Sequence, residues 1–356
     1  MAVKDLFLLD PSVVYLNHGS FGACPRPVFD TYQALQLELE RQPIEFLALE
    51  RRFPALLDAA RHELAAYVGA PPDDLVFATN TSSALNAVIR SLPLGPEDEV
   101  LLGDAEYGGL EILWRFVAEQ TGVSLRRAPF AELEPAPDTR VVFCSHIEWS
   151  TGRVNDVAAV CSAARAVGAL SIVDGAHAPG QVPLDLVALG PDVYVGNCHK
   201  WLCAPKGSAF LYARPDAQES IEPLVVSWDW IDGAPFHQRH RWQGTRDPAA
   251  LLAVPAAIAF QAEHDWPSVR RRCHALLDRF RGDCALEPLT DEYVQMLGFR
   301  LPVANGAALK RALYERHRIE VPIVETKDGW TMRVSIQGYN DDGDVDALLA
   351  ALDDLL

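Results

Sequence analysis

Four short polar stretches follow apolar runs and hold side chains able to do chemistry: Thr79–Ser83, Glu106–Tyr107, Asp174–His177 and Asn197–Lys200. Lys200 stands out. The chain has only five lysines (4, 200, 206, 310 and 327) among 31 basic residues. An amine just past an apolar strand, beside Trp201, is placed for a depressed pKa and covalent work. Lys206 is its rival within the same motif. Asp174 follows the apolar run ALSIV and precedes Gly175. It reads either as a turn-initiating residue or as a carboxylate aimed at a cationic ring nitrogen, with His177 a turn later. In VFATNTSSALNAV, Thr81, Ser82 and Ser83 open a helix. Free N–H groups and hydroxyls there suit a phosphate, although Ser and Thr also serve as ordinary N-caps.

Together these parts are more specific than each alone. A phosphate cradle, a carboxylate and a later lysine are what pyridoxal 5′-phosphate requires. That cofactor has one phosphate, one ring nitrogen and one aldehyde. The aldehyde needs an amine for a Schiff base, and the ring nitrogen needs a carboxylate to stay protonated and draw electrons.

With these residues in place the chain resembles the class V aminotransferase family of fold-type I pyridoxal-phosphate enzymes. YLNHGSFGACPRPV near the amino terminus and DGAHAPG at residues 174–180 resemble the isopenicillin N epimerase-like branch. The resemblance implies roles. Lys200 would anchor the cofactor and move protons at the substrate Cα. Asp174 would pair with the ring nitrogen, and His177 would bond the ring hydroxyl. Tyr107 would stack on the ring. Thr81 and Ser82, with His199 and Asn197, would hold the phosphate. Gly244–Thr245, in RWQGTRDP, would reach the phosphate of a neighbouring subunit, which implies a homodimer. A turn at a domain junction is the alternative there. Arg333, in WTMRVSIQGYN, would take the carboxylate of a small amino-acid-like substrate through two parallel N–H bonds. Asn17 and His18 would line the substrate pocket.

Two departures bear on the reaction. Trp149, in SHIEWSTGRVND, stands where many relatives carry Asn near the ring. No Cys lies between Glu320 and Trp330, where desulfurases carry their sulfur acceptor, so cysteine desulfuration is disfavoured. The leading expectation is an epimerase acting at Cα. The alternatives are aminotransfer and β-elimination of the C–S lyase type. A non-catalytic sensor on the same fold ranks below them, because no appended DNA-binding segment is visible.

Composition bounds the partners. There are 49 acidic residues against 31 basic, a formal charge of −18, which argues against a nucleic-acid partner. The seven cysteines (24, 144, 161, 198, 203, 273 and 284) have no repeated spacing, so neither a disulfide framework nor a metal site is expected. The longest apolar stretch, Ala249 to Phe260, contains Pro255 and is too short to span a bilayer. No signal-like segment is visible, and a cytoplasmic protein without a membrane partner is expected.

The elements that must position these residues alternate. Short apolar runs predict strands at Leu75–Ala78, Val100–Leu102, Val123–Leu125, Val141–Cys144, Leu170–Val173, Val193–Val195 and Ala209–Tyr212. Between them lie predicted helices at Ser82–Ser91, Gly109–Gln120 and Asp156–Val167. Apolar runs without alternation suit strands covered on both faces of a mainly parallel sheet. From Pro248 one long helix is predicted to Glu263 and a second through Ser268–Cys284. A strand (Val294–Leu301), a helix (Gly306–His317), strands near Val321 and at Met332–Ile336, and a helix from Asp341 follow. The expected fold is α/β: a segment at 1–21 crossing both domains, a large cofactor-binding domain at 22–246, and a smaller α+β domain at 247–356.

Overall fold

The computed structural model describes residues 3–356. Its centre is a seven-stranded sheet: β2 (Leu75–Ala78), β3 (Glu99–Gly103), β4 (Ser124–Ala128), β5 (Thr139–Ser145), β6 (Leu170–Asp174), β7 (Val193–Asn197) and β8 (Ala209–Ala213), in the order β2-β8-β7-β6-β5-β3-β4. The pairs among β4, β3, β5, β6 and β7 are parallel, whereas β8 runs antiparallel to both β7 and β2. Two reversals return β2 to the direction of β7. The carboxyl ends of β2, β3, β5, β6 and β7 therefore meet at one edge, which is where an open α/β sheet collects ligands.

The strands are as apolar as expected. Ile172, Val173, Val193 and Val195 are wholly buried, and each such side chain contributes about 1.5–3 kcal/mol by leaving water. Helices Thr81–Ser91, Gly108–Thr121 and Val157–Val167 connect the strands. Two of them are capped by side chains: Asn80 accepts from Ser83 N–H, and Asp156 from Ala159 N–H. Strand β4 starts one residue later than predicted and runs on to Ala128.

A second, antiparallel sheet in the order β11-β12-β9 follows, built from β9 (Met296–Arg300), β11 (Ile323–Thr326) and β12 (Gly329–Ser335). The predicted strand near Val321 is two pieces, β10 (Ile319–Glu320) and β11, because Pro322 lies between them and cannot donate to a ladder. The single helix expected from Pro248 is also two, Ala249–Leu252 and Val254–Glu263. Pro255 supplies no N–H to continue the first, so the second starts afresh with proline in its first turn. Both pack on helices Arg26–Arg41 and Arg52–Val68, elements that the sequence reading left unassigned.

The amino-terminal segment ties the two sheets together. β1 (Val14–Tyr15) pairs in parallel with β10, and Asn17 bridges to Ser335 on β12. After a single helical turn, His18–Phe21, the chain passes beneath the loop that carries Lys200. Gly22 makes this passage possible. Its φ of 70° and ψ of 171° lie in a region that only glycine occupies readily. A Cβ there would sit 1.9 Å from the His199 carbonyl oxygen and 2.9 Å from Lys200 Cα. Gly22→Ala is expected to cost about 3 kcal/mol or more. Chemical denaturation of the purified variant checks this; a cost within 0.5 kcal/mol, the range of about a neutral surface change, would contradict the close passage.

Candidate active site

A cavity of about 290 Å³ opens at the shared strand edge. Each wall comes from a different element. The turn after β2 supplies Asn80, Thr81 and Ser82, the loop after β3 supplies Tyr107, and β5 with its following turn supplies Ser145 and Trp149. Asp174, Ala176 and His177 follow β6, and Asn197, His199 and Lys200 follow β7. Gly19, Ser20 and Phe21 enter from the amino-terminal segment, and Pro322, Val324 and Arg333 from the second sheet. A larger cavity, about 420 Å³, lies elsewhere at the surface, around Arg140, Arg165 and Asp192. Its Arg214 is held by Asp192 and Asp216, and none of the predicted site residues reaches it.

Lys200 lines the smaller cavity. Burial, with a smaller effect from the Arg333 charge, lowers its amine from the ordinary 10.5 to about 7, and Asp174 only partly opposes this. Much of it is therefore free amine near neutrality, the nucleophilic form. Its Nζ lies 3.0 Å from His177 Nε2. Lys206 faces elsewhere: it donates to the Gly22 carbonyl at 3.2 Å and does not line the cavity.

Asp174 ends β6, with Ser145 and Val195 as its partners in register. One carboxylate oxygen accepts the Ala176 N–H at 2.9 Å. Burial raises its pKa, while that N–H and the Lys200 charge hold it down. A cationic ring nitrogen would complete this carboxylate.

At the helix start the N–H groups are partly used. Thr81 N–H donates to Asn197 Oδ1 at 3.1 Å, and Asn197 Nδ2 donates back to the Thr81 hydroxyl. Ser83 N–H goes to Asn80, and the Ser83 hydroxyl accepts from Thr79. Ser83 does not line the cavity, whereas Ser82 does. His199 donates from Nδ1 to the Ser208 carbonyl at 3.0 Å. Burial lowers its pKa to about 4, so the neutral ring carries its lone pair on Nε2. An anion bound at that nitrogen would bring a proton with it.

Arg333 is buried on β12, and desolvation lowers its pKa to about 10. It donates to the Trp149 carbonyl and to the Ser20 hydroxyl, and its Nε has no partner. An uncompensated buried guanidinium is costly, and a substrate carboxylate would offset that cost.

Asn17 and His18, expected in the pocket wall, stand behind it instead. Asn17 bonds Glu320 and accepts from Ser20, the residue that steadies Arg333. His18 is fully buried, its pKa lowered to about 3 by desolvation. It donates from Nε2 to the Lys200 carbonyl at 3.0 Å and accepts at Nδ1 from Tyr339 at 3.1 Å. Thr245 is exposed and lies outside this cavity. Trp149 meets Tyr107 edge to face, at 5.9 Å between ring centres, and donates its indole N–H to the Glu106 carbonyl. It walls the cavity with an aromatic plane.

Glu106 was passed over for its neighbour Tyr107. It is buried and accepts from the Ser145 N–H at 3.0 Å, and its other oxygen pairs with the Ser145 hydroxyl at 2.6 Å. Burial raises its pKa to about 8. Only its position beside a loaded strand end marked it in the sequence.

The family model for aminotransferase class-V matches residues 14–348, and the chain belongs to that family. Two curated isopenicillin N epimerases are similar over essentially the full length. That of Streptomyces clavuligerus is 38% identical, covering 100% of this chain and 99% of the relative. That of Amycolatopsis lactamdurans is 39% identical, covering 99% and 97%. A solved mutant of C-DES, with glycine covalently linked to its PLP cofactor, superimposes with a TM-score of 0.85 at 23% identity, over 97% of both chains. The protein is a pyridoxal 5′-phosphate enzyme of fold-type I, acting at the Cα of an amino acid or an amino-acid-containing substrate. The residues present fit the cofactor: a free amine, a carboxylate and a hydroxyl-bearing helix start surround one cavity.

With the cofactor added, Lys200→Ala is expected to lose the visible absorption band, whereas Lys206→Ala keeps it. Absorption spectra of the two purified variants decide this. The reverse result would move the anchor to Lys206.

Proposed function

We propose that the protein is an amino-acid epimerase whose substrate resembles a peptide-linked amino acid, in the manner of isopenicillin N epimerase. The observation that carries this reading is the identity of 38% and 39% with two such enzymes along the whole chain. The β11–β12 hairpin supports it, because residues 320–330 lack the cysteine that desulfuration would need.

The bound cofactor supplies an electron sink for the pair left when a Cα bond breaks. The chain's own residues do the rest. The Lys200 amine would hold the cofactor aldehyde and, as a free base, would take and return the proton at the substrate Cα. Asp174 would keep the ring nitrogen protonated, and His177 would offer a donor to the ring oxygen. Tyr107 would stack on the ring. Ser82, Thr81 and His199 would hold the phosphate, with Asn197 fixing Thr81 in place and Ser83 closing the cap behind. Arg333, whose Nε has no partner, would take the substrate carboxylate and so orient the amino acid. Trp149 and Phe21 add aromatic faces to the cavity lining.

The same proposal includes a homodimer. Gly244 has a φ of 94° and Thr245 is exposed, as a segment reaching a neighbour's phosphate would be. Exposed Trp228, Trp230 and Ile231 lie on the preceding stretch and support a covering copy. A cytoplasmic setting is supported by the scatter of the seven cysteines. Among the described residues no helix is long and apolar enough to cross a membrane.

A second reading, β-elimination at a C–S bond, is favoured by more distant relatives. One is a probable L-cysteine desulfhydrase of Arabidopsis thaliana, 26% identical. Incubation with amino acids and aminoacyl peptides in deuterated water separates the two. Epimerisation is expected to exchange the Cα proton, invert the centre and release no ammonia. Pyruvate with ammonia would replace the epimerase by a lyase, and a keto acid that needs an amine acceptor would mark a transferase.

A further inference from the structure

Trp201 follows the anchoring lysine and is wholly buried. Its one polar atom is the indole Nε1–H, a group that can only donate. That N–H points at His177 Nδ1, 3.2 Å away. His177 Nδ1 must therefore present a lone pair. The ring is buried, and desolvation together with Lys200, Arg333, His199 and His18 keeps it far from its charged form. A neutral imidazole has one N–H, so here the proton sits on Nε2. Nε2 in turn lies 3.0 Å from Lys200 Nζ. An N–H directed at an amine needs a nitrogen lone pair to receive it, and only the uncharged amine has one.

We propose that Trp201 is a positioning residue that fixes the His177 tautomer and, through it, keeps Lys200 as a free amine facing the cofactor aldehyde. The inference rests on the pyridoxal-phosphate assignment, not on epimerisation. The chain of donors runs one way, from indole to imidazole to amine, because its first member cannot accept. In the opposite tautomer, Nε2 would accept from an ammonium and stabilise the charged, unreactive lysine. Once the lysine is engaged, the same Nε2–H is the donor left for the ring oxygen.

The indole is held from several sides. Gln261 donates to the Trp201 carbonyl at 2.9 Å, and the His18 ring lies 4.9 Å from the indole, tilted by 52°. Gly180 leaves room for that carbonyl, which a Cβ would approach to 2.2 Å. The charged and titratable groups around the amine are Arg333, Asp174, His177 and His199. Arg333 disfavours its charge and Asp174 favours it. Burial is the largest influence on the amine, and the tautomer of His177 acts on top of it.

The test uses the full-length chain freed of cofactor, with ¹⁵N-labelled histidine. Long-range ¹H–¹⁵N spectra, assigned by the signals lost in His177→Gln, are expected to show Nε2 protonated and Nδ1 bare at neutral pH. A proton on Nδ1 overturns the proposal, and this measurement needs no Trp201 variant to fold. In Trp201→Phe, which keeps a ring but loses the donor, the Nε2–H tautomer should no longer dominate. Acylation of Lys200, followed by peptide mass spectrometry against pH, should then show about tenfold less free amine at neutrality. His177→Gln with Trp201 intact should keep the wild-type acylation profile, since a carboxamide accepts with its oxygen and donates with its nitrogen. A folded Trp201→Phe with unchanged tautomer and unchanged profile would leave Trp201 a packing residue. If Lys200 proves not to be the cofactor anchor, the assignment of the anchor fails separately from the tautomer.

Discussion

The whole arrangement depends on removing one amine from water without giving it a full counter-charge. Burial lowers the Lys200 pKa to about 7, and the nearby Arg333 charge adds to the effect. Asp174 opposes both but does not win, because it is itself desolvated and shares its charge with a backbone N–H. A closer ion pair would have kept the lysine protonated and inert. The fold therefore sets acid and base at one cavity without an ion pair between them.

Keeping an amine dry takes more chain than the central sheet alone provides. The amino-terminal segment runs beneath the lysine loop at Gly22, and His18 bonds the Lys200 carbonyl. The same segment pairs with β10 and steadies Arg333 through Ser20 and Asn17. Lys200 and Arg333 thus share one support. A shift of the second sheet would be felt at both.

Much of this was legible in the sequence. Uninterrupted apolar runs such as ALSIV marked strands covered on both faces, and the loaded residues followed them directly. Lys200 and Asp174 were readable because a charged group just beyond such a run has few structural uses. Other features depend on distant parts of the chain meeting. Asn17 and His18, expected to line the pocket, lie behind its wall, where their partners Glu320 and Tyr339 come from some 300 residues away in the chain. The Trp201–His177 bond is likewise invisible in a linear reading. The helices Arg26–Arg41 and Arg52–Val68 carry many exposed polar residues, and their short apolar faces did not stand out. Pro255 had been noted, yet its effect as a helix break went unread.

The state of the buried amine is the most direct test of the account. In the cofactor-free protein, acylation of Lys200 should follow a titration centred near pH 7. A midpoint near the ordinary lysine value of 10.5 would contradict it. Lys200 would then be a solvated or ion-paired lysine, and the cavity around it would not be the seat of the chemistry.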